Sequence, residues 1–430
     1  MSNNTNRIKL LMLGTFDKNT AGHIHDDYNN LPDDFDAIMV TRASEGSTSA
    51  LSFTKCGSFK DFVLRRLAKI MGIINLFVKT GEWFSIKKAR EHCEFCYYDN
   101  DFIPYSAKSI LSKCPKGFVP DYISVHWSAE FISSKVIYDL HKLTGATIVY
   151  VMVDQAPFTG GCHFAVNCDH YINGCTKCPA YRGNVSSAQW KRKCRYLSKL
   201  PIIIVGVPSD LRMAMLTPFF ADSKQIQLII KPKVDICSQE SARKHFNILG
   251  NRFFLFLGAD SLHDRRKGFK FILEAVRVAN KRISNLTLLI AGKNLAEIED
   301  DLDGIDYVFL GFLDRDNLIK AFIAADTYIS ASIADSGPVM INYSISVGTP
   351  VVSFNVGIAQ DLVKHKETGY IAEMLDYNSL ADGIEYIASL SHSDRMNMRN
   401  KCIVLMDEMS KKGHWSEQLL EIHRSNNLKC

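Results

Sequence analysis

The sequence predicts an α/β protein built as two Rossmann-like domains. Three features carry this expectation. Short apolar or β-branched runs alternate with helix-like segments over most of the chain, the pattern of parallel sheets covered on both faces. Several runs end in glycine, at Gly14, Gly292 and Gly311. The rhythm falls into two blocks, and 430 residues suit more than one core.

In the first block, residues 8–14 read as a buried strand, followed by a polar loop over 17–22 and a helix. Residues 37–40 read as a second strand. Residues 50–115 are poorly patterned, and 55–115 are expected as a basic insertion. Regularity returns with strands at 122–126, 147–153 and 202–205 and a helix over 128–143. The second block is clearer. It has strands at 253–257, 286–291, 308–310, 327–330 and 351–354, with helices over 267–281, 317–325 and 338–347. The expected domains are 1–205 and 206–395.

Hydrophobic residues make up 47% and charged residues 23%, which excludes a mostly disordered chain. The net charge of +5, from 51 basic and 46 acidic residues, is too small for a dedicated nucleic-acid binder. No apolar run reaches the roughly 18–20 residues needed to span a bilayer. Residues 1–7 lack the charged-then-apolar order of a signal peptide. The expectation is a cytoplasmic protein whose twelve cysteines are thiols or metal ligands, since structural disulfides are rare in that compartment.

Ligands of open parallel sheets bind beyond the carboxyl ends of the strands. Neither G-x-G-x-x-G nor G-x-x-x-x-G-K-[ST] occurs there, which weighs against a dehydrogenase or a P-loop kinase. Two other stretches follow strands. In Asp335-Ser336-Gly337-Pro338-Val339 an acidic loop opens a helix, and proline suits its first turn. Free N–H groups of that turn suit a phosphate, although an ordinary capping loop reads the same way. In Asp264-Arg265-Arg266-Lys267-Gly268 three cations sit at a helix start, against the dipole. A bound diphosphate would relieve that cost; a solvated charge run is the plainer alternative.

These stretches, with Gly348-Thr349-Pro350-Val351-Val352 and Thr368-Gly369-Tyr370, resemble the donor half of glycosyltransferase family 4 over residues 229–390. Asp154-Gln155-Ala156-Pro157-Phe158-Thr159-Gly160-Gly161-Cys162-His163 resembles one bacterial surface-polysaccharide branch of it. The resemblance implies the GT-B fold, two Rossmann-like domains facing across a cleft. Residues 396–430 would then form a helical segment crossing back to the first domain. It also implies that the acceptor belongs to the first domain and the donor to the second. Arg266 and Lys267 would hold the donor diphosphate. Asp335 and Tyr343 occupy the two positions of the family's E-x7-E motif, so the second carboxylate is missing. Further donor contacts are implied at Gly22, Gly258, Gly311, Phe312, Ser336, Gly337, Pro338 and Val339. The family's catalytic-region histidine corresponds to Val153, which leaves Asp154 and His126 as candidates beside Asp335.

The implied activity is hexosyl or N-acetylhexosaminyl transfer from a UDP- or GDP-sugar to a saccharide or lipid-linked acceptor, with retention and no metal in the transfer step. Positioning and charge stabilisation of the leaving diphosphate would carry it. A catalytically silent partner protein of the same fold and a sugar-nucleotide epimerase are the alternatives.

Two features stand outside that scheme. Cys162-x5-Cys168-x6-Cys175-x2-Cys178 suits structural zinc or an iron–sulfur cluster, with free thiols as the alternative. Residues 60–92 hold eight basic and three acidic residues, with Val63, Leu67, Ile70, Ile74 and Phe77 at helical spacing. Trp83 and Phe84 follow. This segment suits an anionic membrane surface, peripheral on the inner face of the cytoplasmic membrane; a core-packed helix is the alternative.

Overall fold

The computed structural model describes residues 7–17, 24–46, 49–80, 100–103, 105–181, 183–232, 236–248, 250, 252–261, 264–293, 298–337 and 339–427. The chain divides into two compact units, Met1–Leu228 with His414–Cys430, and Ile229–Gly413.

The first unit is built on a seven-stranded parallel sheet in the order β3-β2-β1-β4-β5-β6-β7. Its strands are β1 (Ile8–Phe16), β2 (Phe35–Ser44), β3 (Ala50–Lys55), β4 (Tyr122–Val125), β5 (Thr147–Val151), β6 (Ile202–Gly206) and β7 (Lys224–Gln227). Successive side chains of a strand point to opposite faces. Leu11, Leu13, Ile123 and Val125 therefore join one core, with Ile137 and Leu140 of the helix Ser134–Thr144. Leu10, Met12, Val149 and Val205 join the other, which the helix Trp415–Asn427 covers with Trp415 and Leu419. A strand buried on both faces reads as an unbroken apolar run, and residues 10–13 of β1 do.

The second unit is a six-stranded parallel sheet, β10-β9-β8-β11-β12-β13. Its strands are β8 (Phe253–Ser261), β9 (Leu286–Lys293), β10 (Tyr307–Gly311), β11 (Thr327–Ser330), β12 (Val351–Phe354) and β13 (Gly369–Ala372). Its core joins Leu255, Ile290, Ile329 and Val352 to Ile272 and Val276 of the helix Phe269–Asn280. Asp326 is a buried tie: it accepts from the Phe254 amide at 2.8 Å, Arg243 at 2.9 Å and Arg395 at 3.3 Å.

Several expectations change. The units part at 228/229 rather than 205/206, because β7 extends the first sheet. Its sequence, Lys-Gln-Ile-Gln, buries only Ile226 at the sheet edge and so carries no apolar signal. Of residues 396–430, only 414–430 join the first unit. The helix His392–Met409 stays with the second, held by Arg395 on Asp326 and by buried Met398, Cys402 and Met406. The insertion 55–115 contains a long helix, Phe59–Thr80, while Trp83 and Phe84 lie outside the described residues. Arg266 and Lys267 sit on a separate 3-10 turn, Arg265–Lys267, and not on the first turn of an α-helix. They therefore stand just before its N-cap, Gly268, and not in its first turn.

Each sheet reverses its strand order once, between β1 and β4 and between β8 and β11. Such switch points are where open α/β sheets bind ligands. At the second switch Gly268 adopts φ +68°, and a Cβ there would lie 2.0 Å from the Ala331 carbonyl oxygen. Gly268→Ala should therefore destabilise the second unit by about 1–3 kcal/mol or more, since left-handed strain adds to the clash. Denaturant unfolding measures this; a change below about 0.5 kcal/mol would contradict the packing described.

Candidate functional site

Two loops meet at the β8/β11 switch. Asp264 caps the turn after β8 by accepting from the Arg266 amide at 3.0 Å and takes the Arg266 guanidinium at 3.1 Å. The Arg266 carbonyl accepts from the Ile333 amide at 2.8 Å, which joins that turn to the loop after β11. Asp335 closes the junction. Its Oδ2 accepts from Lys267 at 2.5 Å and from Arg266 at 3.2 Å. The carboxylate is only 11% exposed. The loop after β12 presses from below: Gly357, at φ +55°, would put a Cβ 2.3 Å from the Ser336 carbonyl. Ser336 is 3% exposed, and its hydroxyl has no hydrogen-bond partner among the described residues. It precedes the helix Val339–Ser346, whose first amides have no partner within the helix. Gly258, at the β8 side, faces Met340 of that helix.

The junction thus gathers two cations, two carboxylates, a buried hydroxyl and a helix start. That is a setting for an anion flanked by hydroxyl groups. Arg266, Lys267, Asp335, Ser336 and Gly258 are brought together, with Gly337 and Val339 at the helix start. Tyr343 lies half-buried on the same helix. Gly311 ends the edge strand β10, with β9 between it and β8; Phe312, the next residue, is exposed under the Lys293 ammonium at 4.6 Å. Gly22 and Pro338 lie outside the described residues. A larger open depression of about 620 Å³ is lined by Glu299, Asp300, Asp303 and Tyr307. Its acidic lining disfavours a diphosphate.

In the first unit the end of β1 is joined to the loop after β4 by the Thr15 amide on the Trp127 carbonyl at 2.8 Å. Asp154, after β5, accepts from the Ala156 amide at 2.8 Å and pairs with His163 Nδ1 at 2.5 Å. Trp127 stacks on the His163 ring, centroids 5.3 Å apart. The loop carrying both is pinned by the buried Lys193 ammonium, which donates to the carbonyls of Ala156 at 2.5 Å and Thr159 at 3.1 Å. A cavity of about 20 Å³, room for one water, lies among Trp127, Val153, Asp154, His163 and Lys193. His126 also borders it, but its ring is engaged by Ser124 at 3.1 Å, by Asp27 at 3.5 Å and edge-on by Trp415. The sequence reading missed His163 as the partner of Asp154. A histidine nine residues beyond that carboxylate, in a glycine-rich loop, was the available signal.

The clustered thiols lie in one loop region, with Cys162 hydrogen-bonded to Cys178. Among the described residues no group of three or more His, Cys, Asp or Glu side chains is arranged to hold a metal ion. Cys162, Cys168, Cys175 and Cys178 form no disulfide. The Cys175 thiol is buried against the Gly160 amide, 3.2 Å away, and burial pushes it up to about 12. Cys178 is lowered to about 6, chiefly by a hydrogen bond from Cys162, with further bonds from Ser186 and the Ala180 and Tyr181 amides.

Comparison with known proteins now adds to this geometry. Residues 238–403 match the family model described as Glycosyl transferases group 1. That span contains both loops of the β8/β11 junction. The chain is 28% identical over 132 residues to an uncharacterised glycosyltransferase of Methanocaldococcus jannaschii, covering 29% of this chain and 33% of that one. It is 25% identical over 196 residues to the capsular polysaccharide biosynthesis glycosyltransferase CapM of Staphylococcus aureus, covering 42% and 50%. The chain thus spans about a third to a half of the length of these curated relatives. Among solved structures, Anabaena HepE in complex with UDP and glucose superposes at TM-score 0.56 with 14% identity, over 98% of this chain and 100% of that one. Sucrose-phosphate synthase of Thermosynechococcus elongatus gives TM-score 0.59 at 13% identity, over 99% and 100%. The fold is the α/β, two-domain GT-B fold. Among the described residues no helix is long and apolar enough to cross a membrane.

The thiols give a pH test. The thiolate is the nucleophile, so alkylation follows its population. Cys178 should label with iodoacetamide along a curve rising through about pH 6 and flat above pH 7, while Cys175 stays unlabelled. Mass spectrometry of the labelled peptides reads this out. A Cys178 curve that rises only above pH 8 would contradict the hydrogen bonds assigned to it.

Proposed function

We propose that this chain is a glycosyltransferase that moves a sugar from a nucleotide-sugar donor to a saccharide acceptor in polysaccharide biosynthesis. The observation that carries the reading is the junction of Arg266, Lys267 and Asp335 beside the buried Ser336 hydroxyl, which has no hydrogen-bond partner among the described residues. When the bond between the sugar and the nucleoside diphosphate breaks, negative charge gathers on the departing phosphates. Arg266, Lys267 and the first amides of the helix Val339–Ser346 would offset that charge where it develops. Without donor, Asp335 and Asp264 together balance the two cations. With donor, phosphate oxygens take over the cations, and the Asp335 carboxylate turns to a sugar hydroxyl. The reading assigns no metal or cofactor to the transfer.

On the acceptor side, Asp154 holds Nδ1–H of His163, which makes Nε2 the ring's acceptor atom. An acceptor hydroxyl donating to Nε2 would lie beside the Trp127 ring. This arrangement would fill the role left open by Val153. The resemblance of the motifs to glycosyltransferase family 4 favours retention of configuration. HepE, solved with UDP and glucose, makes UDP-sugars the first donors to test and GDP-sugars the second. The CapM relative favours a capsule-like saccharide acceptor.

Calorimetric titration tests the donor site. Lys267→Ala should weaken both UDP and the UDP-sugar by about ten- to a hundredfold, the value of a hydrogen bond to a charged group at roughly 1.5–3 kcal/mol. Asp335→Asn should separate the two ligands: the sugar nucleotide weakens, while bare UDP, no longer competing with a carboxylate for the cations, is held as well or better. Equal loss for both ligands in Asp335→Asn would remove the carboxylate from sugar recognition. Wild-type protein that binds no UDP- or GDP-sugar would overturn the reading in favour of a silent protein of the same fold.

A further inference from the structure

The helix Phe59–Thr80 turns its apolar stripe away from the protein. At 3.6 residues per turn, Asp61 and Gly72 share one side of it. Both are buried there. Asp61 accepts from Arg42 at 2.7 Å and from the Thr54 hydroxyl at 3.0 Å. A Cβ on Gly72 would meet the Asn100 amide at 2.5 Å. The opposite side presents Phe59, Leu67, Ile70, Ile74 and Val78 within an arc of about 100°. These are 82%, 51%, 52%, 44% and 71% exposed. A core-packed helix buries that stripe; here Val63 and Phe77 are half-buried, these five are exposed, and the fully buried residues, Asp61 and Gly72, lie on the other side.

The charges on the helix are of one sign. Residues 59–80 contain Lys60, Arg65, Arg66, Lys69 and Lys79 against the single carboxylate of Asp61, which is committed to Arg42. Arg65 pairs with Glu130 at 3.0 Å, and Arg66 lies over the Phe62 ring at 5.2 Å. Arg66 and Lys69 are exposed along one flank of the stripe. An apolar face flanked by cations matches the boundary of a bilayer with anionic headgroups, where acyl chains receive the stripe and phosphates the flank. It fits a second copy of the chain poorly, because two such faces would bring Arg66 and Lys69 against their own kind.

We infer that the helix Phe59–Thr80 docks the protein on an anionic membrane surface. The inference stands on this helix alone and does not depend on the transfer reading, since vesicle binding needs neither donor nor acceptor.

The test is flotation of the full chain with vesicles of phosphatidylcholine, with and without phosphatidylglycerol. Binding should be tighter to the anionic vesicles and should weaken as salt rises. Arg66→Glu with Lys69→Glu should reduce it by roughly fivefold or more per cation, from about 1 kcal/mol for each near such a surface. Ile70→Ser with Ile74→Ser should abolish binding while leaving the melting temperature unchanged, because both side chains are already exposed. Equal binding to both vesicle types, or binding that neither variant alters, would overturn the inference. So would self-association that Ile70→Ser with Ile74→Ser removes in a protein that binds no vesicles, which would assign the face to a second copy.

Discussion

At the β8/β11 switch the Gly268 backbone passes so close to the Ala331 carbonyl that no side chain fits between them. That approach sets the site in the second unit. It places the 3-10 turn of Arg266 and Lys267 directly over the loop that carries Asp335, and the Ile333 amide on the Arg266 carbonyl fastens the two. Gly357 lets the loop after β12 support the same segment from the other side. Three loops from adjacent strands are therefore locked by backbone contacts before any ligand arrives. Preorganisation of this kind is what electrostatic stabilisation of a departing anion requires, because the charges need not move when the reaction occurs.

The charge arrangement follows from that packing. Two cations held side by side with little exposure repel each other and lose hydration. Asp335 offsets both, and Asp264 holds the rest of the Arg266 guanidinium. The junction is thus nearly balanced without a ligand. A diphosphate would replace one carboxylate with a more highly charged partner. The first unit uses a different device: Asp154 fixes the His163 ring, and the buried Lys193 ammonium fixes the loop that carries them through its carbonyls. A buried lysine that donates to two carbonyls acts as a staple.

Much of this was legible in the sequence wherever one residue type has one physical cause. Strands such as β1 and β6, buried on both faces, are plain apolar runs. The Arg266-Lys267-Gly268 and Asp335-Ser336-Gly337 stretches stood out because cations, a carboxylate and glycines fall at strand ends. Other features left no local trace. β7 buries one residue in four and looks like a loop. Trp415 shows that the last helix packs apolar surface, but only the fold tells which sheet it covers. The cysteine spacing did not tell the thiols apart: Cys175 is buried against a backbone amide and Cys178 is surrounded by donors. His163 joined Asp154 through a loop whose closure depends on Lys193, thirty residues further on.

The most direct measurement of the account is hydrogen–deuterium exchange of the full chain with and without UDP. Segments 264–268 and 331–337 should be protected together, because one ligand would bridge two loops that already share backbone contacts. Protection confined to one of them, or centred on 299–307 instead, would contradict a donor site at the β8/β11 switch.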